Sequence, residues 1–251
     1  MTEKARNNII AIASGKGGVG KTWLAVTLSH LFARSGRHVL LFDGDIGLAN
    51  VDIQLGLTPK RDLSGVISGK YTLKDTLTRY DEGGFDIIAG RSGSASLATL
   101  PVEKLAEIGS ELTALQKSYD FVVIDLGAGI EQHVQYLASI ASRSIVVVTD
   151  EPTSLTDAYA FIKIANAGKN PPDIGIVVNQ AATQKEGEAT YHSLNKACTN
   201  FLSLSPPLLG IIRRDNKVKD SIRSQKSLLI KAPHSTAASD VAVLSIKLMQ
   251  K

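Results

Sequence analysis

Seven short apolar runs, each bounded by turn residues, constrain the fold of this chain more than any other feature. They are NIIAIAS (8–14), HVLLFD (38–43), FDIIAG (85–90), DFVVIDL (120–126), SIVVVTD (144–150), DIGIVVNQ (173–180) and LLGIIRR (208–214). Each run is continuous and rich in Ile and Val, which is typical of strands that are buried on both faces of a sheet.

Helical patterns separate most of these runs. The segment 23–34 places Leu24, Leu28 and Leu31 at helical spacing, and the segment 101–118 starts with a proline and continues as an amphipathic pattern. Strands that alternate with helices predict right-handed crossovers and a parallel sheet. We therefore expect an α/β fold: a mostly parallel sheet of seven or eight strands with helices on both faces.

The composition predicts a single domain over residues 1–251. Of the 251 residues, 43% are hydrophobic, which is enough for one large core. The sequence contains no Pro/Gly/Ser-rich linker, no low-complexity block and no repeat. Ligands of such sheets bind at the carboxyl ends of the strands, and the motifs of this chain fall at those ends.

The stretch GKGGVGKT (15–22) fits two phosphate-binding patterns, because G-x-x-x-x-G-K-T and G-x-G-x-x-G both begin at Gly15. The first pattern is typical of nucleoside triphosphate sites, and the second is typical of dinucleotide sites. In both, glycines let successive backbone N–H groups point at phosphate oxygens, and the following helix adds its partial positive charge. The dinucleotide interpretation has an acid, Asp43, near the expected distance. The loop positions expected to hold phosphate are Gly15, Gly17, Gly18, Val19 and Gly20.

Two features favour a nucleoside triphosphate. Lys21 supplies an ammonium group for the β- and γ-phosphates and Thr22 a hydroxyl for Mg²⁺, whereas a pyrophosphate-binding turn needs neither. Asp125 lies at the tip of a buried apolar run, where a carboxylate holds magnesium through its water shell beneath the phosphates. The sequence therefore predicts a P-loop NTPase fold with a site for a nucleoside triphosphate and Mg²⁺.

Other residue types exclude several kinds of site. One cysteine, Cys198, rules out an intramolecular disulfide and a four-thiolate metal site within one chain, and the five histidines lack metal-ligand spacing. The N-terminal apolar run is too short for a signal peptide, and no stretch is long enough to span a bilayer. We expect a cytoplasmic protein.

Positive charge is concentrated in one segment. Between Arg213 and Lys231 lie seven Lys or Arg residues and two Asp residues, a net charge of +5, whereas the whole chain carries +4. A solvated surface is the plainer interpretation. The alternative is a patch for an anionic partner such as nucleic acid or acidic lipid.

Three stretches together resemble the MinD/ParA family of deviant-Walker ATPases: KGGVGKT (16–22), DGDIGLANVD (43–52) and VIDLGAG (123–129). The resemblance covers nearly the whole chain. The second stretch is most similar to the branch that contains MinD and the flagellar-number regulator FlhG.

The resemblance implies an ATP-dependent homodimer with two nucleotides at its interface. It implies that Lys16 reaches into the partner's phosphates, that Asp45 positions the attacking water, and that Asp43 is a switch residue near magnesium. Asn179, at the end of IGIVVNQ (174–180), is implied to contact adenine. A lysine delivered by the partner stabilises developing charge only in the dimer, so hydrolysis would be tied to dimerisation. The catalytic candidates are Lys16, Lys21 and Asp45, and the metal-site candidates are Thr22, Asp43 and Asp125.

The chain also departs from the family pattern. Only about a dozen residues precede the loop, where FlhG-like proteins often carry an extension that activates a partner GTPase. Segment 236–251 has an apolar face but only two basic residues, so it predicts a last core helix rather than a membrane anchor. Gly127 stands where the family usually has a proline, and Arg213 and Arg214 stand where relatives often have Pro-Glu-Asp near adenine.

These features predict a slow, Mg²⁺-dependent ATPase whose monomer and ATP-bound dimer form a positional switch that controls flagellar number or placement. We expect a protein partner from that machinery, and contact with the inner face of the cell membrane that is weak or depends on the partner. The alternatives are MinD-like division-site positioning, ParA-like partitioning of DNA or other cargo, and a non-catalytic ATP-sensing scaffold. DNA is disfavoured because no DNA-binding extension is evident.

Two further enzyme or carrier classes find no support in the sequence. Iron–sulfur carrier relatives need interface cysteines that Cys198 alone cannot provide. The stretch GRSGS (90–94) misses the nucleophile elbow of Ser-His-Asp hydrolases by its last glycine.

Overall fold

The computed structural model describes residues 8–45, 48–90, 101–168 and 171–250. Its strands are β1 (Ile9–Ser14), β2 (Val39–Gly44), β3 (Thr78–Tyr80), β4 (Phe85–Ile88), β5 (Phe121–Ala128), β6 (Arg143–Val148), β7 (Asp173–Ala181) and β8 (Leu208–Arg213). Its α-helices are α1 (Lys21–Arg34), α2 (Val51–Leu55), α3 (Leu63–Ile67), α4 (Val102–Leu115), α5 (Gln132–Ser139), α6 (Pro152–Asn166), α7 (Gln184–Leu202), α8 (Asn216–Arg223), α9 (Leu228–Lys231) and α10 (Thr236–Met249). Short 3₁₀ segments lie at Leu73–Thr76 and Gln116–Ser118.

The strands form one eight-stranded sheet in the order β3-β4-β2-β5-β1-β6-β7-β8. Every neighbouring pair is parallel except β3 and β4, which are antiparallel. Helices cover both faces, and a separate apolar core lies on each face of the sheet. The predicted α/β fold is confirmed.

The central strand β1 shows why the apolar runs are continuous. Ile9, Ala11 and Ala13 join one core, while Ile10 and Ile12 join the other. Because successive side chains of a strand point to opposite faces, a strand covered on both faces must be apolar at every position.

The edge strand β3 was not among the seven predicted runs. It has three residues, of which only Tyr80 is buried, and it pairs with β4 through Thr78 opposite Ile87 and Tyr80 opposite Phe85. An edge strand contacts one neighbour and keeps polar residues in solvent, so it leaves no apolar run in the sequence.

The C-terminal helix α10 packs on β8 and α1, as predicted for a core helix. The apolar face predicted from segment 236–251 is buried and contains Ala237, Val241, Leu244 and Leu248. Its outer face exposes Val243 and Ile246.

Candidate functional site

The glycine loop joins the carboxyl end of β1 to the first residue of α1. Gly18 has φ +79°, in the left-handed region that favours glycine. A Cβ atom on Gly17 or Gly18 would meet no atom of the described residues within 4 Å, so this side of the loop is open. A Cβ atom on Gly15 would lie 2.1 Å from the backbone carbonyl carbon of Asp157, so glycine here lets the loop lie against α6.

The end of β7 holds the loop from the other side. The Asn179 amide is buried and donates a 2.7 Å hydrogen bond to the Val19 carbonyl oxygen. Gly20, with φ +94°, passes so close that a Cβ atom would lie 2.5 Å from Nδ2 of Asn179. The structure therefore places Asn179 beside the phosphate loop, while its contact with adenine stays a prediction.

Lys21 is a buried cation at the N-terminus of α1, only 7% exposed. Its ammonium group donates to the Ser14 hydroxyl at 2.8 Å, and that hydroxyl donates to the Lys16 carbonyl oxygen at 2.7 Å. Burial lowers the pKa of Lys21, while the carboxylates of Asp125 and Asp45 oppose that shift. A buried ammonium at a helix N-terminus is suited to bind an anion. Ser14 was not predicted, because a serine that ends a strand carries no motif of its own.

Asp43 organises the chain that follows β2. It is fully buried, and its carboxylate accepts hydrogen bonds from the backbone N–H groups of Asp45 (3.2 Å), Asn50 (3.0 Å) and Val51 (3.1 Å). Burial and the neighbouring Asp125 raise its pKa well above the ordinary value, and the three hydrogen bonds oppose that rise. Its carboxylate is thus engaged with the backbone, and a part in metal binding stays a prediction.

Asp125 lies opposite Asp43 in the ladder between β2 and β5. Both its carboxylate oxygens are buried and accept no hydrogen bond of ordinary geometry from the described residues. Burial raises its pKa to about 7, while the nearby Thr22 hydroxyl and Lys21 ammonium group lower it. Because buried carboxylates are normally paired or hydrogen-bonded, this one is suited to a ligand that supplies hydrogen bonds or positive charge.

These residues fit Mg²⁺. The Thr22 hydroxyl and the Asp125 carboxylate are oxygen donors, which Mg²⁺ prefers, and a Mg²⁺ ion in a nucleotide site keeps several waters besides one or two protein ligands. Within the four described ranges, no group of three or more His, Cys, Asp or Glu side chains could hold a metal ion. A site here would therefore depend on phosphate and water for most of its ligands.

Asp45 follows β2 at the same edge of the sheet and is partly exposed. Burial raises its pKa, the nearby Lys21 and His133 oppose the rise, and Glu131 adds to it. His133 and Glu131 lie at the start of α5, so Asp45 interacts electrostatically with both the phosphate loop and that helix. Residues 46 and 47, which follow Asp45 in the chain, lie outside the described residues.

Lys16 contacts its own subunit. Its ammonium group forms an ion pair with Glu151 and donates a 3.0 Å hydrogen bond to the Thr153 hydroxyl, both at the start of α6. Neither partner was predicted, because EPTSL (151–155) carries no motif. The predicted reach of Lys16 into a partner's site stays a prediction.

The basic segment from Arg213 to Lys231 is partly neutralised within the chain. The Arg213 guanidinium donates to the Asp240 carboxylate at 2.7 and 3.0 Å, and Lys226 lies 3.7 Å from Glu82. Asp215 caps α8 by accepting from the backbone N–H of Lys217. Arg213 is therefore held by Asp240.

Among the described helices, none combines the length and the apolar character needed to cross a lipid bilayer.

Comparison with known proteins identifies similar sequences. The CobQ/CobB/MinD/ParA nucleotide binding domain matches residues 10–228. The antiactivator FleN of Pseudomonas aeruginosa is 37% identical over 230 residues, which is 92% of this chain and 82% of that protein. The flagellum site-determining protein YlxH of Helicobacter pylori is 32% identical over 249 residues, which is 99% of this chain and 84% of that protein.

The fold of this chain is also similar to that of a solved structure. The septum site-determining protein MinD from Pyrococcus horikoshii, complexed with Mg-ADP, superimposes with a TM-score of 0.81 at 26% identity, over 95% of this chain and 94% of that one. The match to the family domain spans most of the sheet and all of the phosphate loop. This chain therefore belongs to the MinD/ParA family of nucleotide-binding domains, as its sequence motifs predicted.

Proposed function

We propose that this protein is a slow, Mg²⁺-dependent ATPase that dimerises with ATP and acts as a positional switch for flagella. The observation that carries the proposal is the Asp125 carboxylate, which is buried beside Thr22 and Lys21 and accepts no hydrogen bond of ordinary geometry from the described residues. A site of this composition suits phosphate oxygens and a hard divalent cation. Similarity to a flagellum site-determining protein over nearly the full chain supports the flagellar process.

The residues at the carboxyl ends of the strands have separate roles in ATP binding and hydrolysis. The loop N–H groups and Lys21 bind the phosphates, and Thr22 and Asp125 hold Mg²⁺. When bound, Mg²⁺ neutralises charge on the phosphate oxygens. Asp45 accepts a hydrogen bond from the attacking water and aligns it with the γ-phosphate, because phosphoryl transfer needs positioning more than covalent help.

Lys16 links hydrolysis to dimerisation. In the single subunit its ammonium group is held by Glu151 and Thr153. In the dimer it leaves these partners and stabilises negative charge on the phosphates of the second subunit. Hydrolysis then ends the dimer state.

The flagellar role is tested in a bacterium that lacks its own copy of this protein. Flagella per cell are counted by electron microscopy after complementation with the parent chain, Lys21→Ala or Asp45→Ala. We expect the parent chain to restore the normal number of flagella. Lys21→Ala should not restore it, because this variant binds ATP too weakly. Normal numbers with Lys21→Ala would contradict the proposal. Normal numbers with an Asp45→Ala protein that does not hydrolyse ATP would favour the non-catalytic scaffold.

Division-site positioning is a second candidate, supported by the likeness to the Pyrococcus horikoshii MinD structure. The same complemented cells distinguish it, since a division-site role changes cell length and septum position while a flagellar role changes flagellar number. Partitioning of DNA is a third candidate, and it would require the exposed cations of α8 to bind DNA non-specifically.

A further inference from the structure

We infer that Gly127 is a positioning residue for Asp45: in this chain, glycine at the position where the family usually has a proline leaves the space in which the Asp45 carboxylate lies. The inference rests on the proposed function, which assigns to Asp45 the alignment of the attacking water. It adds a residue of β5 to the candidate site.

The ladder between β2 and β5 brings the two residues together. Gly44 pairs with Leu126 at the end of this ladder, so the next residues along the two chains, Asp45 and Gly127, are neighbours. A Cβ atom built on Gly127 would lie 3.1 Å from Oδ1 and 3.6 Å from Cγ of Asp45. Ordinary contacts of a Cβ atom begin at about 3.4 Å, so a methyl group here would press on the carboxylate.

The backbone itself does not require glycine at this position. Gly127 lies within strand β5 and is not among the glycines with positive φ, so an L-residue fits its backbone conformation. The other neighbour of an added Cβ atom is Cγ2 of Val134 at 3.6 Å, an ordinary distance. The contact with Asp45 is therefore what a methyl group would disturb.

The response of Asp45 is confined to its side chain. Its backbone N–H donates to the Asp43 carboxylate, which also holds the backbone of Asn50 and Val51. That anchor keeps the main chain in place, so an added methyl group at position 127 displaces the carboxylate by a few tenths of an ångström. A misplacement of 1 Å costs about 100-fold in rate, so a shift of a few tenths of an ångström should cost roughly three- to ten-fold.

The first experiment is kinetic. In the full chain, Gly127→Ala is expected to lower kcat for Mg·ATP about three- to ten-fold, while KM and nucleotide affinity change less than about two-fold, because the phosphate loop is untouched. The matched control is Gly210→Ala: this strand glycine has room for a methyl group, with Leu244 at 3.6 Å, and its variant should keep the parent kcat. Asp45→Ala is measured alongside.

The second experiment does not depend on turnover. The shift in melting midpoint caused by Gly127→Ala is measured in the parent and in Asp45→Ala. We expect the shift to be more unfavourable in the parent, because only there does the new methyl group meet the carboxylate; the difference is the coupling between the two residues.

The outcomes separate the inference from the proposed function. A parent-like kcat in Gly127→Ala beside a slow Asp45→Ala would overturn the inference alone, as would equal melting shifts in the two backgrounds. A parent-like kcat in Asp45→Ala would overturn the proposed role of Asp45, and the inference with it.

Discussion

Charged side chains at the two ends of the parallel strands differ in how well they are paired. At the amino ends, Arg143 donates two hydrogen bonds to Asp173 (2.9 and 2.6 Å), and Asp86 accepts from Arg79 at 3.0 Å and from the Tyr119 hydroxyl at 2.9 Å. These charged groups have partners within the chain. These pairs therefore need no ligand to balance their charge.

At the carboxyl ends, the charged groups are buried with less compensation. Asp43 and Asp125 are neighbours of like charge, and the pKa of each carboxyl is raised chiefly by burial. Lys21 is buried beside them. Proteins tolerate such arrangements at functional sites, where a ligand completes the charge balance. The difference between the two edges identifies the carboxyl edge as the candidate site without reference to any relative.

Removing one lysine from each edge gives the largest contrast. Lys21→Ala should lower the affinity for ATP by about 10- to 150-fold, because a buried charged hydrogen bond contributes about 1.5–3 kcal/mol. Lys117→Ala, at the amino edge, removes the same charge and should leave affinity within about two-fold. Calorimetry at low salt measures both. Equal affinities in Lys21→Ala and the parent would contradict the assignment of the phosphate loop.

Asp125→Asn should change how the stability of the nucleotide-free protein depends on pH. The folded-state pKa of Asp125 is about 7, above its unfolded value of about 3.9, so its contribution to stability is full below the unfolded value and is lost as pH rises through 7. From about pH 5 to about pH 8 the parent should lose roughly 2–3 kcal/mol more stability than the variant.

Urea unfolding without Mg²⁺ or nucleotide measures this difference. Burial also lowers the pKa of His30 to about 4, which gives stability that is lost as pH falls from about 6.5 towards 4. His30 is present in both proteins, so its effect cancels in the comparison. Parallel pH profiles for the parent and Asp125→Asn would contradict the prediction, because they would show that ionisation of Asp125 does not lower the free energy of unfolding.

Asp86→Ala, at the amino edge, should lower the stability of the fold without changing the affinity for ATP, and the loss should be smaller than the pH effect of Asp125. It removes the partner of Arg79 and Tyr119, and we expect a loss of about 1–2 kcal/mol in the free energy of unfolding. Affinity for ATP should stay at the parent value, because the change lies at the far end of the strands. A tenfold loss of affinity would mean that the two edges are not independent.

The sequence predicted the parts of the fold that follow from local pattern. Each of the seven apolar runs forms a strand, and the apolar face of α10 is buried. Strands that are buried on both faces of a sheet are apolar at successive positions, so they can be recognised in the sequence. The edge strand β3 left no such signal, since only Tyr80 of its three residues is buried.

The candidate site was predicted where a motif is local, and missed where contacts join distant segments. The loop from Gly15 to Thr22 could be recognised from spacing alone. The contacts of Lys16 with Glu151 and of Asn179 with Val19 join residues more than a hundred positions apart, and no pattern in the sequence pairs them. The space above Gly127 likewise follows from strand register, which only the structure shows.

In the proposed switch, Lys16 acts on the nucleotide of the partner subunit. The most direct measurement is the ATPase rate of Lys16→Ala and Asp45→Ala, each alone and mixed in equal amounts before ATP is added. Each variant alone should be nearly inactive. A mixed dimer has one site with both an intact Asp45 and a Lys16 from the partner, so the mixture should recover up to about a quarter of the parent rate. A mixture no faster than the two variants measured separately, or a Lys16→Ala protein as active as the parent, would contradict the claim.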